Sequence, residues 1–141
     1  MTKERVMVRI AAPGDLDFIK QNSRLPRERL LQKIQQDEIL ILRVNDEPVG
    51  HLWFGFLWST IPFIDLIYIK QDYQKRGLSR VLLGFLEAYL EESGYDVLYS
   101  SSQMDEPEPQ AWHRHVGFEE CGVISGINDG GIGEVFFRKV I

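Results

Sequence analysis

The fold of this chain is decided at Gln74-Lys75-Arg76-Gly77-Leu78-Ser79, where a strand pattern gives way to a helix pattern. Residues 63–69 before it are almost continuously apolar, which predicts a strand. After it, apolar residues recur at helical spacing and predict one buried stripe, formed by Leu78, Val81, Leu82, Phe85, Leu86 and Tyr89. The sequence therefore predicts a strand that turns abruptly into a helix, with a glycine at the turn.

This loop has the chemistry of a phosphate site. The first amides of a helix have no internal partners, and the helix dipole favours negative charge there. Gly77 has no Cβ, so an anion can come close to the backbone. Residues 70–80 contain four cations and one acid, a local charge of 4 − 1 = +3 in a chain whose net charge is −5. They are Lys70, Lys75, Arg76 and Arg80 against Asp72. The two interpretations are a locally held anionic ligand and a solvated helix start with ordinary charged residues.

Length and composition limit the class of protein. The chain has 141 residues, of which 44% are hydrophobic and 26% charged, and we expect one globular domain over residues 1–141. An isoelectric point near 5.2 argues against a nucleic-acid partner. The lone Cys121 cannot form an internal disulfide, and the sequence contains no apolar stretch of ~20 residues. Lys3, Glu4 and Arg5 precede only a short apolar run, so we expect no signal peptide. We therefore expect a cytoplasmic protein that has neither nucleic acid nor membrane as a partner.

The remaining segments alternate between strand and helix patterns. Strands are predicted at residues 6–10, 38–44, 49–58, 63–69, 96–102, 118–125 and 132–140. Helices are predicted at about 15–21, capped by Asp15, and at 26–36, 78–93 and 107–115. Residues 45–48 and 59–62 are predicted as the breaks on either side of the third strand. This order of strand, two helices, three strands, helix, strand, helix and two strands indicates the α+β class.

Two segments carry a resemblance to a known family. Residues 73–79 resemble the acyl-CoA pyrophosphate loop of the GNAT superfamily of N-acetyltransferases, whose pattern is Gln/Arg-x-x-Gly-x-Gly/Ala. Gln74 and Gly77 match it, and Ser79 stands where the family usually has Gly or Ala. Residues 112–118 resemble a late segment of the family, except that His113 stands where the family commonly has Tyr. The order of elements is also that of the family, so the resemblance covers nearly the whole chain.

The resemblance implies a fold and an activity. The fold is a mixed, mostly antiparallel central sheet of about seven strands flanked by helices. It is splayed in the middle, between residues 66–69 and 98–101, to take acyl-CoA. The activity is direct transfer of an acetyl group from acetyl-CoA to a primary amine of a small molecule or peptide. Backbone groups of Ile67 and Ile69 would bind the pantetheine arm, and the pyrophosphate would be bound by Gln74, Lys75, Arg76, Gly77, Leu78 and Ser79.

Such a transfer needs proton acceptors, because an alkylamine with a pKa near ~10.4 arrives protonated. Asp65 is the first candidate base, since an acid is out of place in a strand that is otherwise apolar. The alternative interpretation is that Asp65 has no catalytic role and faces solvent on the uncovered side of the strand. Glu106 and Glu108 form a second acidic group that would attract a cationic amine, or else they are ordinary loop residues.

The departing thiolate needs a proton, which the family commonly takes from the Tyr that His113 replaces. A neutral imidazole can donate one hydrogen bond and would stabilise negative charge on sulfur. The alternative is a histidine packed beside Trp112. The missing Tyr also leaves open a non-catalytic acyl-CoA-binding sensor.

Two further patterns bear on cofactors and partners. His113 and His115 are two residues apart on a predicted helix and face away from each other, so no metal site is expected. Residues 52–58 are unusually aromatic for a strand. One face of this strand is predicted to join the core, and the other to form a homodimer contact or an apolar wall of the acceptor pocket.

Overall fold

The computed structural model describes residues 3–141 and contains seven strands and four α-helices in that range. The strands are β1 (Val6–Ile10), β2 (Ile39–Val44), β3 (Glu47–Leu57), β4 (Ile61–Ile69), β5 (Val97–Gln103), β6 (Glu119–Ile124) and β7 (Glu134–Val140). The helices are α1 (Leu16–Lys20), α2 (Arg27–Gln35), α3 (Leu78–Glu92) and α4 (Pro107–His115). The predicted order of elements is confirmed.

The strands form one sheet in the order β1-β2-β3-β4-β5-β7-β6. Pairing is antiparallel for β1 with β2, β2 with β3, β5 with β7 and β6 with β7. Strands β4 and β5 pair in parallel, with Phe63 opposite Tyr99. The predicted α+β class and mostly antiparallel seven-stranded sheet are therefore confirmed.

The turns on either side of β3 are shorter than predicted. Asn45 and Asp46 adopt positive φ angles of 51° and 68°, so two residues complete the first turn and β3 already begins at Glu47. At the other end, Trp58 and Ser59 have φ angles of 51° and 63° and make the turn into β4. The prediction that Trp58 lies in the strand is wrong, because a strand residue has negative φ. Its side chain is 83% exposed.

Contacts between residues group the chain into two compact units. The first reaches up to Phe54 and includes Leu66–Leu86. Helices α1 and α2 cover one face of β2 and β3 there, around a core of Ala11, Leu16, Ile19, Leu30, Ile34, Ile39, Ile41 and Trp53. Each fully buried aliphatic side chain of this kind contributes about 1.5–3 kcal/mol to folding.

Helix α3 buries a slightly different stripe from the predicted one. Leu82, Leu83 and Leu86 are buried, whereas Val81 is 42% exposed. The buried side thus centres on the leucines and not on Val81. Leu78, the first helical residue, is buried as predicted and fixes the helix start directly after Gly77.

The second unit comprises Gly55–Asp65 and Glu87–Ile141. Its core is formed by side chains of β5, β7 and the segment after α4, namely Leu98, Val116, Phe118, Val135 and Phe137. The Lys139 ammonium lies 2.7 Å from a carboxylate oxygen of Glu87, and both side chains are about one-fifth exposed.

Asp15 occupies the N-cap position of α1 as predicted, but its side chain does not cap the helix. Its carboxylate accepts hydrogen bonds from Arg9 at 2.7 and 2.8 Å and from the Ala12 backbone amide at 2.8 Å. No side-chain hydrogen bond caps α1 at this residue. Pairing with Arg9, together with the Ala12 bond, holds the pKa of Asp15 below its ordinary value. Asp15 therefore ties β1 to the turn that precedes α1.

Candidate active site

The loop between β4 and α3 has the backbone geometry of an anion site. Lys75 and Gly77 adopt positive φ angles of 62° and 76°, separated by Arg76 at negative φ. Alternation of this kind turns successive backbone amides towards a shared concavity. A left-handed backbone is uncommon for a residue with a side chain, and such strain concentrates at binding sites. Helix α3 begins immediately afterwards, with no acidic side chain in its first turn.

Side-chain contacts hold this loop in place. The Gln74 side-chain amide donates to the Ile69 carbonyl at 3.0 Å, which ties the loop back to the end of β4. The Tyr73 hydroxyl donates to Glu47 at 2.9 Å, and the Arg76 guanidinium lies 5.0 Å from the centre of the Tyr73 ring. The Gln74 side chain thus stabilises the position of the loop relative to β4.

The loop has room and charge for a phosphate group. No atom lies within 4 Å of the position that a Cβ would take at Gly77, so the space above this backbone is open. Lys75 and Arg76 are exposed beside it. Lys70 lies 3.6 Å from Glu47, which offsets part of its charge. These features fit the diphosphate of a nucleotide-like ligand, because amides, helix dipole and cations all favour the same negative group.

The other residues predicted to contact the carrier lie on β4, just before the loop. Ile67 is half-buried and Ile69 is buried. The Ile69 carbonyl oxygen accepts one hydrogen bond from Gln74. A carbonyl oxygen has two lone pairs, so this oxygen can also accept from a second donor. Leu78 is buried and Ser79 is half-buried at the start of α3.

His113 lies in the second unit and is buried, with 4% exposure. Its Nδ1 is 2.7 Å from the Pro109 carbonyl, and its Nε2 is 2.8 Å from Ser100 Oγ. The ring stacks on Phe137 with centroids 4.4 Å apart and planes 1° from parallel. It also meets Trp112 edge-on at 5.0 Å.

These contacts determine the protonation of His113. A carbonyl oxygen only accepts, so Nδ1 carries the proton and donates to Pro109. Burial lowers the pKa of His113, which keeps the ring neutral at pH 7. Nε2 then accepts from the Ser100 hydroxyl. In this arrangement the single N–H of the neutral ring is already used, so donation to a thiolate requires a second proton on the ring.

The three predicted carboxylates lie in exposed positions. Asp65 is exposed on β4, in the second unit. Glu106 and Glu108 are exposed at the start of α4, where Glu106 occupies the N-cap position without a capping hydrogen bond from its side chain. The roles predicted for these three residues stay predictions.

The described part of the chain also bears on metal ions and membranes. Among residues 3–141, no group of three or more His, Cys, Asp or Glu side chains is placed to hold a metal ion. No helix in the same range combines the length and the apolar character that crossing a membrane requires.

Comparison with known proteins identifies the family. The model of the acetyltransferase (GNAT) family matches residues 13–118, a segment that contains the loop, α3 and His113. The chain belongs to the GNAT family of acetyltransferases. One relative is the aminoglycoside N(6')-acetyltransferase type 1 of Stenotrophomonas maltophilia, which is 32% identical to this chain over 62 residues. That match covers 44% of this chain and only 40% of the relative.

Solved structures agree in fold with this GNAT chain. The ribosomal-protein-alanine N-acetyltransferase of Brucella melitensis has a TM-score of 0.79 at 20% identity, covering 96% of this chain and 99% of that one. An N-acetyltransferase of Staphylococcus aureus gives 0.80 at 18% identity, with 96% and 98% covered. YncA of Salmonella typhimurium, solved with its cofactor acetyl-CoA, gives 0.81 at 16% identity, with 96% and 94% covered. GNAT neighbours of this fold therefore bind acetyl-CoA.

Sequence reasoning missed the partner of His113. Ser100 is 13 residues away, and nothing in its own surroundings distinguishes it from Ser101 and Ser102. The one usable signal is alternation: it places Ser100 on the same face of β5 as the apolar Leu98, which predicts burial for a hydroxyl that must then find a partner.

Proposed function

We propose that this GNAT chain transfers the acetyl group of acetyl-CoA directly to a primary amine of a small molecule or peptide. The observation that supports this most is the loop at Lys75–Gly77, whose left-handed residues, open space and cations suit the diphosphate of CoA. In the proposed complex, Lys75 and Arg76 contribute charge and the amides up to Ser79 contribute hydrogen bonds. Ile67 and Ile69 would bind the pantetheine arm through their backbone.

The reaction forms one bond and breaks one. The nitrogen lone pair of the neutral amine attacks the thioester carbonyl carbon, and the carbon–sulfur bond breaks to give the amide and the CoA thiolate. The amine nitrogen loses one proton and the thiolate gains one, so the products are an N-acetyl amine and CoA thiol. Asp65 is the proposed proton acceptor on the amine side, and exposure leaves it accessible to water.

His113 is the proposed donor on the thiol side, under a condition set by its hydrogen bonds. Because Nδ1 donates to Pro109, the ring must take a second proton at Nε2, where Ser100 now donates. Burial opposes that protonation by lowering the pKa of the ring. If His113 is the donor, substituting it should lower turnover while acetyl-CoA binding is retained.

Turnover with a panel of acceptors tests the proposal. Acetyl-CoA would be incubated with an aminoglycoside, spermidine, phenethylamine and an alanine-terminated peptide, and CoA release would be followed with a thiol reagent. Release that depends on the amine, with intersecting initial-rate lines for the two substrates, is the expected result for direct transfer. Parallel lines contradict direct transfer. Tight CoA binding with no release for any amine would instead identify a sensor.

A further inference from the structure

The second unit has one sheet face that carries the chemistry of a binding surface. Helix α4 lies on the opposite face, because His113 bonds Ser100 of β5 and stacks on Phe137 of β7. Side chains alternate along a strand, so Tyr99 and Ser101 of β5 and Phe136 of β7 point away from α4. All three are half-buried, whereas Ser100 and Phe137 are buried.

Aromatic rings form the floor of this face. Phe63 of β4 lies opposite Tyr99 in the parallel pairing, and its ring centre is 5.8 Å from that of Phe136. We call the surface formed by Phe63, Tyr99, Ser101, Glu134 and Phe136 the open face. Half-buried rings side by side offer a flat apolar area that attracts both aromatic groups and cations.

The carboxylate of Glu134 lies at one end of the floor. Glu134 precedes Phe136 by two residues on β7, so both project from the same face. One of its oxygens accepts from Ser101 Oγ at 2.6 Å, and the other accepts from the Asn128 side-chain amide at 2.9 Å. These bonds fix the orientation of the carboxylate, and both donors are neutral. The cation on the same face of β7, Arg138, lies opposite Tyr99, four residues and about 13 Å along the strand from Glu134.

A half-buried carboxylate next to aromatic rings favours a cation that also carries a flat group. Each oxygen of Glu134 keeps a lone pair beyond the one used by Ser101 or Asn128. An ammonium would find charge complementarity there, and hydrogen bonds to ionised groups in partly desolvated sites are among the stronger ones. The net charge of −5 favours the approach of cations as well.

We propose that the open face binds the acyl acceptor, and that this acceptor is a positively charged primary amine bearing a flat ring. The ammonium lies beside Glu134 and the ring lies over Phe136 and Phe63. This inference rests on the proposed function and names the substrate class of that same reaction. It assigns Glu134 a role in recognising the substrate, and Ser101 and Asn128 the role of positioning Glu134.

Two amines of equal charge test the ring, and one substitution tests the carboxylate. Phenethylamine and n-butylamine would be compared as acceptors for the wild type, Glu134→Gln and the control Glu120→Gln. Glu120 is exposed on β6 and lies opposite Phe137, hence on the other side of the sheet. The wild type is expected to use phenethylamine at least tenfold better in kcat/KM. Glu134→Gln is expected to lower kcat/KM for phenethylamine at least tenfold, and Glu120→Gln is expected to leave it within twofold.

A neutral analogue separates recognition from structural damage. Inhibition by 2-phenylethanol, which keeps the ring and lacks the charge, is expected to be equal in the wild type and Glu134→Gln. Loss of both phenethylamine turnover and 2-phenylethanol inhibition in that variant would mean a distorted site and would overturn the assigned role. If Glu134→Gln does not fold, Phe136→Leu replaces it and is expected to erase the preference for phenethylamine over n-butylamine.

Titration with acetyl-CoA distinguishes the failure of this inference from the failure of the proposed function. If acetyl-CoA binds and amines turn over, but the two amines react equally or Glu134→Gln behaves as the wild type, the inference alone is overturned. Turnover of peptide amines with none of phenethylamine has the same meaning. If acetyl-CoA does not bind the wild type, the proposed function fails and the inference fails with it.

Discussion

His51 on β3 makes the stability of the first unit sensitive to acid. Its side chain has 0% exposure and lies among the rings of Phe18, Trp53 and Tyr68, with centroid distances of 5.2–5.9 Å. Among the described residues, neither ring nitrogen has a hydrogen-bond partner. Burial lowers the pKa of His51 to about 4, because a charged ring would lose its hydration without gaining a partner.

The direction and size of the effect follow from that pKa. The pKa in the unfolded chain is about 6.5, so between pH 6.5 and pH 4 the unfolded state binds a proton that the folded state does not. Acid therefore favours unfolding over this window. Between pH 7 and pH 5 the two pKa values predict a loss of about 1.8 kcal/mol from His51 alone, roughly a twentyfold change in the unfolding equilibrium.

Urea unfolding of the wild type and His51→Leu at pH 7 and pH 5 measures this loss. The difference in free energy between the two proteins is expected to change by about 1.8 kcal/mol between the two pH values, in favour of the variant at pH 5. Comparing the two proteins cancels groups that titrate in both, such as His113. The control Ile41→Val also truncates a buried side chain of the first unit but removes no titratable group, and it is expected to keep the pH dependence of the wild type. Equal pH dependence for the wild type and His51→Leu would refute the reasoning.

Substitutions of His113 and of Asp15 test what the hydrogen bonds of each side chain contribute to stability. His113→Phe leaves Ser100 and Pro109 without their buried partner and is expected to cost about 1–3 kcal/mol of unfolding free energy. At a temperature where it is folded, kcat is expected to fall at least tenfold with acetyl-CoA affinity nearly unchanged, and a wild-type kcat would remove this histidine from the mechanism. Asp15→Asn is expected to cost about 1 kcal/mol at pH 7, measured by urea unfolding. The lowered pKa of Asp15 means that its pairing with Arg9 is lost as the carboxyl is protonated, so this cost shrinks in acid. The exposed ion pair of Arg5 with Asp46 serves as the control. Asp46→Asn is expected to change the free energy of unfolding by less than about 0.5 kcal/mol. Equal losses of stability in Asp15→Asn and Asp46→Asn would contradict this account.

Periodicity was sufficient to predict the order of elements, because burial of one face imposes a pattern on the sequence itself. Residues 6–10 and 107–115 are bounded as predicted. The errors occur where a residue has two physically acceptable uses. Asp15 is a good helix cap by type, but Arg9 and the Ala12 amide compete for its carboxylate. Val81 fits the helical stripe equally well as Leu83, and packing in the folded chain selects Leu83.

In the candidate site, too, the features encoded by neighbouring residues were predictable, and those formed by distant residues were not. The turn from β4 into α3 was predictable because Gly77 and the start of the helix pattern encode its backbone geometry locally. The surroundings of His113 were not, since Ser100 and Phe137 come from strands distant in sequence. Glu134 was missed for the same reason: its donor Ser101 is 33 residues away, and only the pairing of β5 with β7 brings them together.

Calorimetric titration of CoA into the wild type, Gly77→Ala and Gly84→Ala tests the central claim most directly. Gly77 has φ of +76° at the loop, whereas Gly84 lies within α3; neither position has an atom within 4 Å of an added Cβ. A methyl group at residue 77 strains a left-handed backbone and stands where the diphosphate approaches, so the Kd is expected to rise at least tenfold. Gly84→Ala is expected to bind CoA as the wild type does. Absence of CoA binding, or equal affinity in Gly77→Ala and the wild type, would contradict the assignment of this loop.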